Sequence, residues 1–406
     1  MAGERQYASS FLEESVGLPR NSVDPGEIPG EFVDALTEAM KGSEGARSPE
    51  PLLEMKVQEV GKEITQSILD TQGTVVLKER WPRAAKYAAC LTHDVDSLSR
   101  PIGHVLKRRA RFSASDLVLA ITGLRNPYDN ISYVEALEKE RNLRSSFYFL
   151  SCDYDLRPKA PQLRSMANAG WDVGLHGDFG THDSQEKMAE ALSRFHQMTG
   201  ISAVGVREHY LRFDFASTWK VMEDSGLRYD TTVGNTDKLG FRIGLCSPFH
   251  PPDENWKPRG IVELPLVLMD VTLWGYLSAT EAQGLSEFER LKRSVESVSG
   301  LFTILWHQEA VRMKGGRIYP ALLDSLQRDG CFVGSGLAVA DWWQARSEPL
   351  VRDGNVFRME NAPEGLVLKS RSRNGRKPRV SGAEAEADGD TATIKSKGGP
   401  LEVVFQ

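Results

Sequence analysis

Two aspartates and a histidine directly follow an apolar run, and this combination of residues could do chemistry. Residues 87–91 are apolar and predict a short buried strand, and His93, Asp94 and Asp96 stand at its end. An ionised carboxylate costs several kcal/mol to remove from water unless it is paired or bound to a metal. Because Asp94 and Asp96 are two residues apart, both side chains project from the same side of an extended segment. The pattern favours a metal or acid–base site, although a strand followed by a helix-capping Asp would leave the same residues.

Polar side chains also follow several later stretches with strand character. His176, Arg207, Asp230 and His307 each end such a stretch, and His209 comes two residues after Arg207. These side chains can converge, because the carboxyl ends of parallel strands share one edge of a sheet. The sequence therefore predicts a single polar site at that edge.

The elements that must position these side chains alternate along the chain. From about residue 86 to residue 346, short strands alternate with helices, a pattern typical of parallel βα units in a barrel or a doubly wound sheet. Residues 1–85 predict an N-terminal arm with helices, and residues 347–406 predict a small β appendage or a flexible tail. The chemistry is therefore expected in the middle segment.

The composition points away from several classes of protein. The formal net charge of −6 gives no general attraction to nucleic acid or anionic membranes, and we interpret the basic run at 107–111 as a solvated face. The four cysteines form no CxxC pair, so neither a disulfide framework nor a thiolate zinc site is expected. The chain has no apolar run of about 18 residues, so no membrane span is predicted. The first residues lack the layout of a secretory signal, and we expect a cytoplasmic protein.

Five short motifs, in this order, resemble those of the polysaccharide deacetylase family, also called the NodB homology or carbohydrate esterase 4 type. They lie at residues 92–96, 176–182, 207–210, 229–232 and 305–307, and the first reads THDVD, as in a subgroup of the family. The resemblance covers residues 86–345, about two thirds of the chain. It implies a distorted (β/α)7 barrel, an α/β fold similar to a TIM barrel, here with an N-terminal helical arm and a small C-terminal β appendage.

The resemblance implies a role for most of the strand-end residues. Asp94 would act as the general base, with Arg207 orienting it, and His307 would act as the acid. Asp96 and His176 would be ligands of one divalent metal ion, with zinc as the expected metal.

Four further residues would contact the substrate or the oxyanion. The backbone N–H of Tyr210 would support the oxyanion, and Asp230 would line the groove. His93 and His209 are candidates for substrate contacts, and a plain structural role is an equal alternative for His93.

The third metal ligand departs from the family pattern. The family has a histidine four residues after His176, and that position is Gly180 here. His182, six residues after His176, is the candidate replacement, although it could merely precede the next helix. His209 or a water molecule could fill the position instead.

Together these observations predict a metal-dependent hydrolase of C–N amide bonds. The expected reaction is N-deacetylation of an amino sugar, so the expected partner is a carbohydrate that carries N-acetyl groups. Two alternatives stay open: a non-catalytic carbohydrate-binding relative with a degraded metal site, and a hydrolase of cyclic amides similar to allantoinase.

Overall fold

The structure is a computed structural model, and it describes residues 2–373 and 375–405. The helices of this part of the chain are α1 (Ala2–Val16), α2 (Gly30–Met40), α3 (Leu52–Gln72), α4 (Ile102–Lys107), α5 (Ala114–Ile121), α6 (Ile131–Glu140), α7 (Ala160–Asn168), α8 (Gln185–Thr199), α9 (Thr218–Asp224), α10 (Glu281–Ser297), α11 (Tyr319–Asp329) and α12 (Gly336–Arg346). Short 3₁₀ turns connect several of them.

The strands fall into one parallel and two antiparallel sheets. They are β1 (Thr74–Lys78), β2 (Ala88–Val95), β3 (Ser146–Leu150), β4 (Asp172–Gly177), β5 (Gly205–Glu208), β6 (Tyr229–Asp230), β7 (Val262–Glu263), β8 (Leu266–Met269), β9 (Leu301–Leu305), β10 (Phe332–Gly334), β11 (Val351–Asp353), β12 (Val356–Ala362), β13 (Val367–Ser372), β14 (Pro378–Ser381), β15 (Ala383–Asp388), β16 (Thr391–Ser396) and β17 (Gly399–Phe405).

The parallel sheet closes on itself through a strand that a proline interrupts. Strands β2 to β7 pair in sequence, β8 pairs with β9, and β9 pairs with β2. Only Leu264 and Pro265 separate β7 from β8, and a proline cannot donate to the strand ladder. When β7 and β8 are counted as one interrupted strand, the pairing circuit has seven members. The expectation of a distorted (β/α)7 barrel is therefore confirmed.

The first barrel strand, β2, has three neighbours. Its amino-terminal half pairs with both β9 and β10, whereas residues Thr92 to Val95 pair with β3. All eight residues of β2 are buried, because the apolar residues 88–91 are covered on both sides. The carboxyl end of the strand therefore lies at one edge of the sheet, with Asp94 near its end and Asp96 directly after it.

The chain on either side of the barrel is also folded. Tyr7, Leu12 and Phe32 of the first two helices are buried in the same hydrophobic cluster as the barrel strands. Strand β1, from the N-terminal arm, pairs with β13 of the C-terminal appendage. The division of the chain into arm, barrel and appendage stays a prediction. In the described part of the chain, no helix is long and apolar enough to cross a bilayer.

Candidate active site

The carboxyl ends of four barrel strands bring one aspartate and three histidines together. Asp96 follows β2, His176 lies near the end of β4, His209 follows β5 and His307 follows β9. Asp96 Oδ1 lies 3.3 Å from His176 Nε2 and 3.8 Å from His209 Nε2. Asp96 Oδ2 lies 3.7 Å from His307 Nε2. The convergence expected from the parallel pattern is therefore present.

Three of these residues form a candidate metal site. One ligand atom from each of Asp96, His176 and His209 lies within 4.8 Å of the other two. Two imidazoles and one carboxylate are ligands that zinc and related divalent metals accept, with further positions left for water or substrate. The set has the composition of an open, catalytic type of site.

The imidazole of His176 is oriented for metal binding. Its Nδ1–H donates to the backbone carbonyl of Arg207 over 2.7 Å. A carbonyl can only accept, so the lone pair of the neutral ring stands on Nε2, which faces Asp96. Metal-binding histidines usually have such a partner on the other ring nitrogen. Burial lowers the pKa of His176, but Asp94 and Asp96 outweigh burial and raise it.

His209 offers the second imidazole. Burial and the neighbouring His176 lower its pKa, which favours the neutral imidazole that can bind a metal. Its ring stacks on Tyr210, with ring centroids 4.0 Å apart, and Tyr210 adopts a left-handed backbone with φ +60°. The turn after β5 thereby places the rings of His209 and Tyr210 nearly parallel to each other.

The structure does not bring His182 to the other ligands. Gly180 has φ +86°, and a Cβ at this position would lie 2.6 Å from Lys187 Nζ. The next residue, Thr181, donates to Glu208 Oε2 over 2.6 Å and so fixes the loop. His182 Nε2 instead lies 3.6 Å from a carboxylate oxygen of Asp183. His209, the alternative considered from the sequence, is the third residue of the candidate metal site, and His182 is not part of it.

Asp94 and Arg207 lie together beneath the candidate metal site. Arg207 Nε is 3.9 Å from Asp94 Oδ1, and Asp94 Oδ2 is 3.7 Å from His176 Nε2. The guanidinium is fully buried and donates to the hydroxyls of Thr92 and Thr231 over 2.8 and 3.0 Å. This places a fixed positive charge beside the carboxylate that the sequence suggested as a base.

Several buried polar atoms here have no hydrogen-bond partner among the described residues. They are Asp94 Oδ1, Asp96 Oδ1 and Arg207 Nη1. Buried polar atoms are almost always paired in folded proteins, so a cluster of unpaired atoms indicates a missing ligand or water. Together with the Nε2 atoms of His176 and His209, which lie beside Asp96, these atoms fit a divalent metal with bound water.

The imidazole of His307 is held by an aspartate that the sequence analysis did not select. Asp270 follows β8 and is fully buried. Its carboxylate accepts from His307 Nδ1–H over 2.6 Å and from the His307 backbone N–H over 3.2 Å. Burial lowers the pKa of His307, but Asp270 and then Asp96 outweigh burial and raise it well above its usual value. The signal in the sequence was again a carboxylate that directly follows an apolar strand, residues 264–269.

His93 lies away from this cluster. Its Nδ1 is 2.6 Å from the carbonyl of Trp306 and its Nε2 is 2.8 Å from Glu138 Oε1. Neighbouring residues of a strand point to opposite faces, so His93 and Asp94 face different parts of the protein. The geometry supports the structural alternative for His93 over a substrate contact.

Asp230 is fully buried rather than exposed in a groove. Its Oδ1 accepts from the backbone N–H of Thr232 over 3.0 Å. Burial raises the pKa of both Asp230 and Glu263, and the charge of Asp230 raises that of Glu263 further. Both carboxyl groups are fully buried, and a role of Asp230 beside the substrate stays a prediction.

Comparisons with known proteins give matches only among solved structures. No protein-family model and no curated protein matches the chain. A Mycobacterium smegmatis protein assigned as a polysaccharide deacetylase is 18% identical with a TM-score of 0.49, and the match covers 67% of this chain and 95% of that one. The Puue allantoinase is 17% identical with a TM-score of 0.45, over 66% and 93% of the two chains. A family 4 carbohydrate esterase from Streptomyces lividans is 14% identical with a TM-score of 0.36, over 66% and 100%.

Proposed function

We propose that this chain is a metal-dependent hydrolase of C–N amide bonds that removes an N-acetyl group from an amino sugar. One observation carries the proposal. Asp96, His176 and His209 form a candidate ligand set, with Asp94 beside His176 and with His307 beside Asp96. Amide hydrolysis needs an activated water, a stabilised oxyanion and a protonated leaving nitrogen, and this arrangement offers a group for each need.

Asp94 is the proposed base. A divalent ion held by Asp96, His176 and His209 would polarise the amide carbonyl and lower the pKa of a bound water. Asp94 would accept the proton of the attacking water, because its Oδ1 lacks a partner and its position is fixed. Arg207, 3.9 Å away, would orient this carboxylate and balance its charge.

His307 is the proposed acid. Asp270 holds the Nδ1–H, so the proton on Nε2 is the one available to the leaving nitrogen. Asp270 and Asp96 raise the pKa of His307, which favours the protonated imidazole that an acid needs. As the amide C–N bond breaks, this proton would convert the departing nitrogen into an amine, while the water oxygen becomes part of the released acetate.

An exposed aromatic pair supports a sugar as the substrate. Phe179 and Tyr210 are both exposed, and their ring centroids are 5.9 Å apart. Phe179 also lies 5.8 Å from the ring of His209, so the pair borders the candidate metal site. An apolar ring with a wet edge suits the flat, partly apolar face of a sugar.

The proposal is tested by metal content and a substrate panel. The purified chain, before and after reconstitution with zinc, should hold about one divalent ion by elemental mass spectrometry. Acetate release should then be measured from N-acetylated amino sugars and their oligomers, with cyclic amides as the competing class. Absence of bound metal in a folded protein would sink the catalytic proposal, and turnover of cyclic amides alone would sink the choice of substrate.

The His307→Ala variant separates the proposed acid from the metal site. It should abolish turnover and retain the bound metal, because its Nε2 is not part of the three-residue ligand set. Loss of metal together with activity would show that His307 is a ligand and would contradict its role as acid.

A further inference from the structure

The segment between β2 and α6 leaves several large apolar side chains exposed. We define the basic hairpin as residues 100–125, which include α4 and α5. In α5 the only buried residue is Asp116, and Leu117 and Ala120 are partly buried against a small apolar cluster. Val118 and Ile121 are 59% and 57% exposed. Leu124, just after the helix, is 78% exposed. A helix in a water-soluble protein normally directs its large apolar side chains toward the core.

Specific contacts of Asp116 fix the orientation of α5. Its carboxylate accepts from Arg125 Nη1 over 2.8 Å, from Ser113 Oγ over 2.6 Å and from Arg317 Nη2 over 3.4 Å. Ser113 also caps the helix by accepting from the Asp116 backbone N–H over 3.0 Å. These contacts tie Asp116 to the protein, while Val118 and Ile121 face solvent.

Helix α4 adds to the same exposed surface. Its only buried residue is Val105, while Ile102 and Leu106 are exposed. Val105 packs in a small cluster with Phe112 and with two residues outside the hairpin. The hairpin is therefore attached to the protein by this cluster, and five large apolar side chains remain uncovered. They are Ile102, Leu106, Val118, Ile121 and Leu124.

The charge of the hairpin is opposite to that of the rest of the chain. The hairpin has six basic residues and one acidic residue, giving a formal charge of +5. The whole chain has a formal charge of −6, so the remainder carries −11. The basic residues are Arg100, Lys107, Arg108, Arg109, Arg111 and Arg125. Positive charge and exposed apolar surface are therefore concentrated in the same 26 residues of an acidic protein.

We propose that the basic hairpin docks on the surface of an anionic lipid bilayer. Apolar side chains of short amphipathic helices enter the boundary between headgroups and acyl chains, while Lys and Arg contact anionic headgroups. A second hairpin would bring two segments of charge +5 together, which opposes dimerisation through this face. A nucleic acid would meet the charges but would leave the apolar side chains in water.

The hairpin is joined to the rim that carries the candidate active site. It begins four residues after Asp96, and Gln308, the neighbour of His307, donates to the carbonyls of Ser97 and Tyr128 on either side of it. The Lys314 backbone N–H also donates to the Arg111 carbonyl over 2.7 Å. Docking through the hairpin would hold this rim close to the bilayer. The inference does not depend on the reaction proposed above.

The test is sedimentation of the full chain with lipid vesicles. The protein should bind vesicles made from an equal mixture of phosphatidylcholine and phosphatidylglycerol. It should bind vesicles made from phosphatidylcholine alone much less. Added salt should weaken the binding, because it screens charges at the surface. Equal binding to both kinds of vesicle, or to neither, would overturn the proposal.

Two sets of exposed substitutions assign the binding to the hairpin. The triple variant Lys107→Gln, Arg108→Gln, Arg109→Gln should weaken binding to the anionic vesicles by about fivefold for each basic side chain removed. The variant Val118→Ser, Ile121→Ser, Leu124→Ser should weaken it by about tenfold or more.

Matched controls lie elsewhere on the surface. The controls are Arg376→Gln, Lys377→Gln, Arg379→Gln for charge and Leu52→Ser, Met55→Ser for exposed apolar area. Both should bind as the parent chain does, and circular dichroism should show the same fold for all variants. Equal losses in the controls would overturn the proposal. The proposal would also be overturned if light scattering showed a dimer and the variant Val118→Ser, Ile121→Ser, Leu124→Ser were a monomer.

Discussion

Two neighbouring residues of β2, His93 and Asp94, face two clusters that differ in how their polar atoms are paired. On one side, the buried carboxylate of Glu138 accepts from His93 Nε2 over 2.8 Å and from the Tyr319 hydroxyl over 2.8 Å. It also accepts from Ser145 Oγ and from Trp171 Nε1, both over 2.7 Å. On the other side, one oxygen of Asp94 has no partner among the described residues.

We interpret the Glu138 cluster as structural and the Asp94 cluster as the candidate active site. A buried carboxylate with four donors is fully paired, and such a network fixes the packing of the elements that supply the donors. A buried carboxylate with an unpaired oxygen keeps a desolvation cost that only a ligand or water can offset. Substitutions on the Glu138 side should therefore lower stability, and substitutions on the Asp94 side should lower activity.

The largest expected effect is on turnover in Asp94→Asn. Loss of a general base should lower kcat by about a thousandfold. The free energy of unfolding should fall less than in Glu138→Gln, because Oδ1 has no hydrogen-bond donor to lose and Arg207 Nε lies 3.9 Å away. Steady-state kinetics measures the change in kcat, and urea unfolding measures the change in the free energy of unfolding. Unfolding of the variant at much lower urea would show that Asp94 is structural.

The converse is expected for Glu138→Gln. The amide presents an N–H to donors that all need an acceptor, so the free energy of unfolding should fall by about 3 kcal/mol. The kcat of the folded fraction should stay close to the parent value. Urea unfolding measures the change, with Glu140→Gln, exposed on the same helix, as the control. A loss of kcat with unchanged stability would remove the distinction between the clusters.

The contribution of Glu138 to stability should also depend on pH. Burial raises its pKa, but the hydrogen bond and charge of His93, together with the hydrogen bonds from Trp171 and Ser145, outweigh burial, and the net pKa is lowered. A lowered folded-state pKa gives stability that is present above the unfolded-state pKa and is lost as the pH falls through the folded-state value. The difference in stability between the parent and Glu138→Gln should therefore shrink in acid, and a constant difference would contradict the assignment.

A smaller effect is expected when the third ligand is removed. His209→Ala should weaken zinc binding by about 100-fold, whereas His182→Ala should change the affinity by less than about twofold. Of these two histidines, only His209 lies beside Asp96. Competition with a chelator measures both affinities. If His182→Ala had the larger effect, the loop fixed by Gly180 and Thr181 would have to rearrange on metal binding.

The smallest expected effect is a displaced pH profile in Asp270→Asn. The acid His307 must be protonated, so activity should be lost as the pH rises through its pKa. Asp270 is the main group that raises this pKa, and its removal should move the basic limb of the kcat profile to lower pH. Asp183→Asn, an exposed carboxylate beside His182, is the control. An unmoved limb in Asp270→Asn would mean that another group is the acid.

The sequence predicted the barrel and most of the site because both depend on local patterns. Alternating strands and helices predict parallel pairing, and parallel pairing gathers the strand ends at one edge. Asp270 was missed because Pro265 divides its strand and because its partner His307 is 37 residues away. Glu138 was missed because it lies within helix α6, where a charged residue is usually exposed.

The sequence by itself determined which residues reach the rim, since alternation along a strand fixes which side chains share a face. Only the tertiary structure decided which of them act together. The left-handed turn at Gly180 directs His182 away and leaves His209 beside Asp96. Glu138 of α6 and Tyr319 of α11 supply the partners that occupy His93, whereas Asp94 Oδ1 has no hydrogen-bond partner among the described residues. Such choices depend on contacts between distant segments, which no local pattern encodes.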